Sequence, residues 1–288
     1  GADFGDHCFE QEFTIDRPAL WSPDTPALYT STSEIYEGGE LKDRSVTVFG
    51  IRTVEAVQGE GFRLNGKPLK FRGVCLHHDL GPLGGIVNES AIRHRIRLLK
   101  GCNAIRTSHN MPAPELIEIC DETGMMVMAE SFDEWETKKV ENGYHKEFGQ
   151  WAERDLVNLV RRFRNNPSVV MWCIGNEVPD QWNGDRGPKL SLRLQNICHR
   201  EDPTRPVTQG MDAPDAVTAN NMAAVMDIPG FNYRPHLYAR NYLRLPQEMI
   251  LGSETTSTIS SRVKPYSQNH FSINSLSTSA GLRSESPI

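Results

Sequence analysis

The chain has 288 residues, 38% of them hydrophobic and 24% charged, so it can bury a sizeable core, and a disordered or fibrous protein is excluded. A formal net charge of -6 gives no broad attraction to phosphate backbones or anionic lipid, and the richest apolar run, Ser168 to Ile174, is far short of the roughly 18 residues of a membrane span. Nucleic acid and membrane are excluded as partners, a small and largely uncharged substrate suits a soluble chain of this kind, and homo-oligomerisation is left open.

In chain order, residues from Glu12 to Val57 lack helical periodicity and read as short strands, among them Ala27 to Tyr36 and Ser45 to Ile51, punctuated by Pro and Gly. This is the pattern of the end of a β-sandwich, assigned to residues 1–57. Phe62 to Arg72 alternates around Asn65-Gly66, the dipeptide that most readily supplies two positive φ angles, and predicts a tight hairpin. From Phe71 onward short apolar strands alternate with amphipathic helices, which predicts βα units and a parallel sheet. The predicted strands are Phe71 to Leu76, Asn103 to Thr107, Met126 to Glu130, Val169 to Ile174, Pro206 to Gln209, Ile228 to Tyr233 and Met249 to Ser253. Predicted helices include Glu89 to Lys100, Ala113 to Thr123, and Glu147 to Arg164, where Ala152, Leu156, Leu159, Val160 and Phe163 form one stripe before Asn165-Asn166-Pro167 stops it. The tail from Ser260 is Ser-rich without periodicity and reads as irregular.

The predicted strands end in polar residues, examples being His77-His78-Asp79, Arg106 to Asn110, Glu130 to Trp135, Asn176-Glu177, Asn232-Tyr233 and Glu254. In a (β/α)8 barrel all strand carboxyl ends converge on one face, so these clusters would ring a single pocket. An open doubly wound sheet is the competitor, but no GxGxxG follows the first strand and a dinucleotide site has no support. The fold class is therefore α/β, a (β/α)8 barrel in residues 58–262 in which no eighth strand can be read, with an irregular tail over 263–288.

Glycoside hydrolysis needs two carboxyl groups flanking the scissile bond, and Glu177 and Glu254 each end a buried strand, three strands apart. The stretches HHDLGPLGG, CNAIRTSHNMPAPELIEICDETG, AESFDEW, SVVMWCIGNEVP, GFNYRP and ILGSETT then resemble glycoside hydrolase family 2, over roughly Trp21 to Thr258, nearest its bacterial β-galactosidase branch. The resemblance implies an immunoglobulin-like sandwich before the barrel, Glu177 as acid/base, Glu254 as nucleophile, and net retention through a glycosyl-enzyme. It further implies Asn176 at the sugar 2-hydroxyl, Tyr233 bonded to the nucleophile, Arg106 keeping that carboxylate ionised, and His109 lining the sugar pocket.

His78 and Asp79 are expected to line substrate, since no third ligand is spaced to complete a metal site with them. Asp133 and Trp135 are candidates at the third strand's end, the indole either stacking on a sugar or simply packed. The six cysteines, Cys8, Cys75, Cys102, Cys120, Cys173 and Cys198, show no CxxC pair and read as free thiols, and no cofactor is expected. The resemblance lacks the family's amino-terminal sugar-binding domain and its aromatic-rich eighth strand. Three functions remain open from sequence: a β-galactosidase, another glycone such as β-glucuronide or β-mannoside in the same chemistry, or a non-catalytic sugar-binding remnant. No signal peptide opens the chain, and since some family members are secreted to the periplasm, the compartment is left open.

Overall fold

The structure is a computed structural model and describes residues 10–257, so Cys8 and the tail from Ser260 lie outside the described residues. Strands β1 (Tyr29–Glu37) and β2 (Glu40–Phe49) form an antiparallel hairpin. Strands β3 (Val54–Val57), β4 (Gly61–Leu64) and β5 (Lys67–Pro68) form a small antiparallel sheet whose β4–β5 turn is Asn65-Gly66, at φ 52 and 72 as the hairpin reading requires. Strand β3 pairs with β4 in register from Val54 opposite Leu64 to Val57 opposite Gly61.

Seven parallel strands follow: β6 (Gly73–His77), β7 (Ala104–Ser108), β8 (Met126–Glu130), β9 (Val169–Asn176), β10 (Val207–Met211), β11 (Ile228–Asn232) and β12 (Leu251–Glu254). Between them run α1 (Glu89–Leu98), α2 (Pro114–Thr123), α3 (His145–Phe163), α4 (Arg186–Glu201), α5 (Pro214–Ala219) and α6 (Tyr238–Tyr242). The strands hydrogen-bond in chain order from β6 to β12. The result is a nearly closed barrel, the seven-strand form of the expected fold. Among the described residues no eighth strand joins β12 to β6, and a cavity of about 350 Å³ opens there, lined by Phe71, Val74, Cys75, Arg106, Met171 and Glu254 among others. No helix among the described residues is long and apolar enough to cross a membrane.

Local chemistry sets the element ends. Asn88 caps α1 by accepting from the Ala91 N–H at 3.0 Å, and Pro114 opens α2 where no N–H donor is needed. Gly124 ends α2 at φ 75, where an added Cβ would lie 2.3 Å from the Pro23 carbonyl oxygen. One core lies between sheet and helices, with Ile105, Val127, Ala129, Trp172 and Ile174 facing Ile117, Leu156, Val160 and Leu194. A second closes the amino-terminal end of the barrel, where Trp21, Phe62 and Leu64 meet Met126, Met171 and Ile228.

Two buried guanidinium groups hold the start of β9. Arg205 donates to Asp202 at 2.5 Å and to the carbonyls of Val169, Arg164 and Asn166, while Arg52 donates to the carbonyls of Pro167 and Val169. Burial, with the positive charge of Arg205 beside it, pushes the Arg52 pKa down to about 9. Asp202 also accepts from the Trp172 indole at 3.0 Å. Removing this carboxylate would leave two neighbouring cations buried without it. Asp202→Ala is expected to destabilise the fold by about 3 kcal/mol or more, read as a lowered urea midpoint; an unchanged midpoint would contradict this account.

Candidate active site

The carboxyl ends of β7, β8, β9, β11 and β12 deliver one connected network. Arg106, on β7 and 3% exposed, is its centre. Its Nε donates to Glu130 Oε2 at 2.5 Å, its Nη1 reaches Glu254 Oε2 at 3.2 Å, and its Nη2 donates to Asn176 Oδ1 at 2.8 Å. Burial is the largest single influence and would lower the pKa of Arg106, but the neighbouring acidic groups, Glu130 foremost and Glu254 among them, together outweigh it, so the group stays charged. The fork can lie flat across the barrel only because Gly210 sits beneath it. A Cβ there would fall 2.7 Å from Arg106 Nη2, 3.0 Å from Asn232 Oδ1 and 3.1 Å from Asn176 Oδ1.

Glu254 collects donors. Tyr233 Oη donates to Oε1 at 2.6 Å, while Arg106 at 3.2 Å and Asn232 Nδ2 at 3.3 Å converge on Oε2. The Tyr233 pKa is raised, first by burial and then by this bond, so the phenol keeps its proton to give. His109 Nε2 lies 3.8 Å from Glu254 Oε2. Glu177 is joined to the same group through Asn232, whose Nδ2 is 2.9 Å from Glu177 Oε1. Glu177 and Tyr233 both adopt left-handed backbone, at φ 44 and 56, which is costly away from glycine and is found where side chains are held for a task.

Asn176 is fixed in orientation: its Oδ1 accepts from Arg106 and from Asn232 at 2.8 Å each, and its Nδ2 donates to Asp133 at 3.0 Å. Asp133 thus reaches the network, and Lys139 Nζ bridges it, at 2.7 Å from Asp133 Oδ1 and 3.1 Å from the Asn176 carbonyl. For Trp135, sequence left stacking and packing open. It is fully buried beneath Gly175, with its indole N–H on the Ile174 carbonyl at 2.8 Å, so it packs and offers no stacking face. The side-chain hydrogen bonds of His78 and Asp79 run to their own loop. His78 bonds the Gly85 carbonyl and Asp79 accepts from the Gly81 N–H, so both organise their own loop beside a separate small depression.

Three residues of the network were given no role from sequence. Glu130 and Asn232 each terminate a buried strand and stand in the strand-end clusters named above, the same signal that marked Glu177. Lys139 carries no such signal, being brought in by the loop between β8 and α3. Among the described residues no group of three His, Cys, Asp or Glu is placed to hold a metal ion, and the five described cysteines are free.

Two family models match the chain: "Glycosyl hydrolases family 2, TIM barrel domain" over residues 55–284 and "Glycosyl hydrolases family 2" over residues 2–52. A β-galactosidase of Bacteroides ovatus is 39% identical over 286 residues, covering 88% of this chain and 34% of the relative. A solved glycosyl hydrolase family 2 member from Bacteroides cellulosilyticus superposes with a TM-score of 0.76 at 36% identity, over 81% of this chain and 30% of that one. A solved β-glucuronidase of Bacteroides uniformis superposes with a TM-score of 0.71 at 28% identity, over 81% of this chain and 30% of that one. The chain thus spans about a third of the length of these relatives.

The loop carrying Lys139 is tied down by Glu134, which accepts from the N–H groups of Lys139, Val140 and His145. Burial pushes the Glu134 pKa up, but these bonds outweigh it and hold it at about 2, below the ordinary 4.5. A depressed carboxylate pKa stabilises the fold above the unfolded value and loses that contribution as pH falls through the folded one. The stability gap between the parent chain and Glu134→Gln, about 2 kcal/mol at pH 7, is therefore expected to close between about pH 4.5 and about pH 2. Denaturation across that range measures it, and a gap that does not change with pH would contradict the assignment.

Proposed function

We propose that this chain, which belongs to glycosyl hydrolase family 2, carries the catalytic face of a retaining exo-β-glycosidase, with Glu254 as nucleophile and Glu177 as acid/base. One observation carries the reading: a single amide nitrogen, Asn232 Nδ2, lies 2.9 Å from Glu177 Oε1 and 3.3 Å from Glu254 Oε2. The two carboxyl oxygens therefore cannot be more than roughly 6 Å apart. That is near the about 5 to 5.5 Å of direct displacement and short of the about 6.5 to 9.5 Å that leaves room for an inverting water.

In the first step Glu254, its charge supported by Arg106 and Tyr233, attacks the anomeric carbon while Glu177 gives its proton to the departing glycosidic oxygen. The C–O bond to the aglycone breaks and an ester to Glu254 forms. Glu177, now ionised, then takes a proton from water as its oxygen attacks the same carbon, and Glu254 leaves. Two inversions give net retention. Asn176 has one amide hydrogen committed to Asp133, which leaves the other for the sugar 2-hydroxyl, where the bond strengthens as charge develops.

A terminal non-reducing β-galactoside is the substrate this site suits best. The cations touching the network, Arg106 and Lys139, are each already engaged by carboxylates, which favours a neutral glycone over a uronic acid. The similarity to a relative named as a β-galactosidase supports the same choice. A panel of aryl β-glycosides (galactoside, glucuronide, mannoside and glucoside) tests it. The galactoside should turn over fastest, and Glu177→Gln and Glu254→Gln should each lower kcat/KM by roughly 1000-fold or more. Preference for the glucuronide would overturn the glycone, and a folded chain that turns over none of the four would overturn the reading.

A further inference from the structure

We propose that Glu130 is the positioning residue of this site: one carboxylate oxygen holds Arg106 against Glu254, and the other fixes which nitrogen of His109 carries the proton. The proposal rests on the reading of Glu177 and Glu254 as the reacting pair, but its structural part can be tested without turnover.

Glu130 ends β8 and is fully buried. A carboxylate held there away from water must be met by donors. Arg106 Nε meets Oε2 at 2.5 Å, and His109 Nδ1 lies 2.9 Å from Oε1. The Cys173 thiol, whose pKa burial pushes up, keeps its proton and donates to Oε2 from 3.2 Å. The backbone N–H of Glu130 is itself fixed on Thr107 Oγ1 at 2.9 Å.

An ionised carboxylate only accepts hydrogen bonds, so the bond from His109 places a proton on Nδ1. In the neutral ring Nε2 is then an acceptor, and it is the nitrogen turned toward Glu254 Oε2, 3.8 Å away. His77 packs edge-on against the His109 ring with centroids 5.0 Å apart, which limits its rotation. His109 is thereby presented to the pocket as an acceptor for a sugar hydroxyl beside the nucleophile. Glutamine cannot replace Glu130 in this role. Its amide nitrogen would face either the guanidinium or the imidazole N–H, donor against donor.

The test is nitrogen NMR of the full chain with 15N-labelled histidine, His109 being assigned by the signal lost in His109→Gln. The proposal expects the neutral ring of His109 to be protonated on Nδ1, and Glu130→Gln to disturb that state. It also expects Glu130→Gln to lower kcat/KM on the preferred glycoside by roughly 100-fold, with much of that loss absent when His109 is already replaced. A parent ring protonated on Nε2, or a Glu130→Gln chain with unchanged tautomer and rate, would overturn it. The parent spectrum decides the question even if Glu130→Gln fails to fold. It does so as well if no glycoside is hydrolysed, an outcome that would sink the proposed function and leave the tautomer assignment to stand or fall by itself.

Discussion

The site depends on one buried cation that cannot be given up. Arg106 is withdrawn from water almost completely, and a charge so placed is tolerable only if nearly every donor of its fork is met. Meeting them brings together Glu130 from β8, Asn176 from β9 and Glu254 from β12 at the carboxyl end of the barrel. The same bonds that make the cation bearable fix the side chains assigned to the proposed reaction. Packing stability and catalytic preorganisation are here one set of contacts.

The barrel supplies what the network cannot supply for itself. Parallel strands in chain order put residues nearly 150 positions apart within hydrogen-bond reach, as with Arg106 and Glu254. Gly210 keeps the floor low enough for the guanidinium to lie across it, and the left-handed backbone at Glu177 and Tyr233 turns both side chains at the ends of their strands. At the other end, Arg52, Arg205 and Asp202 hold the beginning of β9, so the strand that delivers Asn176 and Glu177 is fixed at both termini.

Much of this was legible in the sequence because burial and chemistry alternate along it. Seven short apolar runs predicted the seven strands of the parallel sheet, and Met126 to Glu130 even kept its limits. The hairpin at Asn65-Gly66 followed from backbone sterics alone. What was not legible required knowing which side chains meet. Trp135 occupies a strand-end position like its neighbours, yet its indole turns under Gly175, and nothing local records that direction. His78 and Asp79 look like pocket residues, yet one ring nitrogen and one carboxylate oxygen are taken up by their own loop. Lys139 reaches Asn176 only because Glu134 gathers the intervening loop, a contact between segments that no periodicity encodes.

The central claim is that Glu254 forms a covalent bond to the sugar while Glu177 moves protons. A 2-deoxy-2-fluoro β-galactoside with a good leaving group tests it most directly, since the fluorine slows breakdown of the ester and allows it to accumulate. Mass spectrometry of the digested chain should find one fluorosugar, carried by the peptide that contains Glu254. A label on Glu177 or on any other carboxyl, or inverted product from the parent substrate with no label at all, would contradict the account.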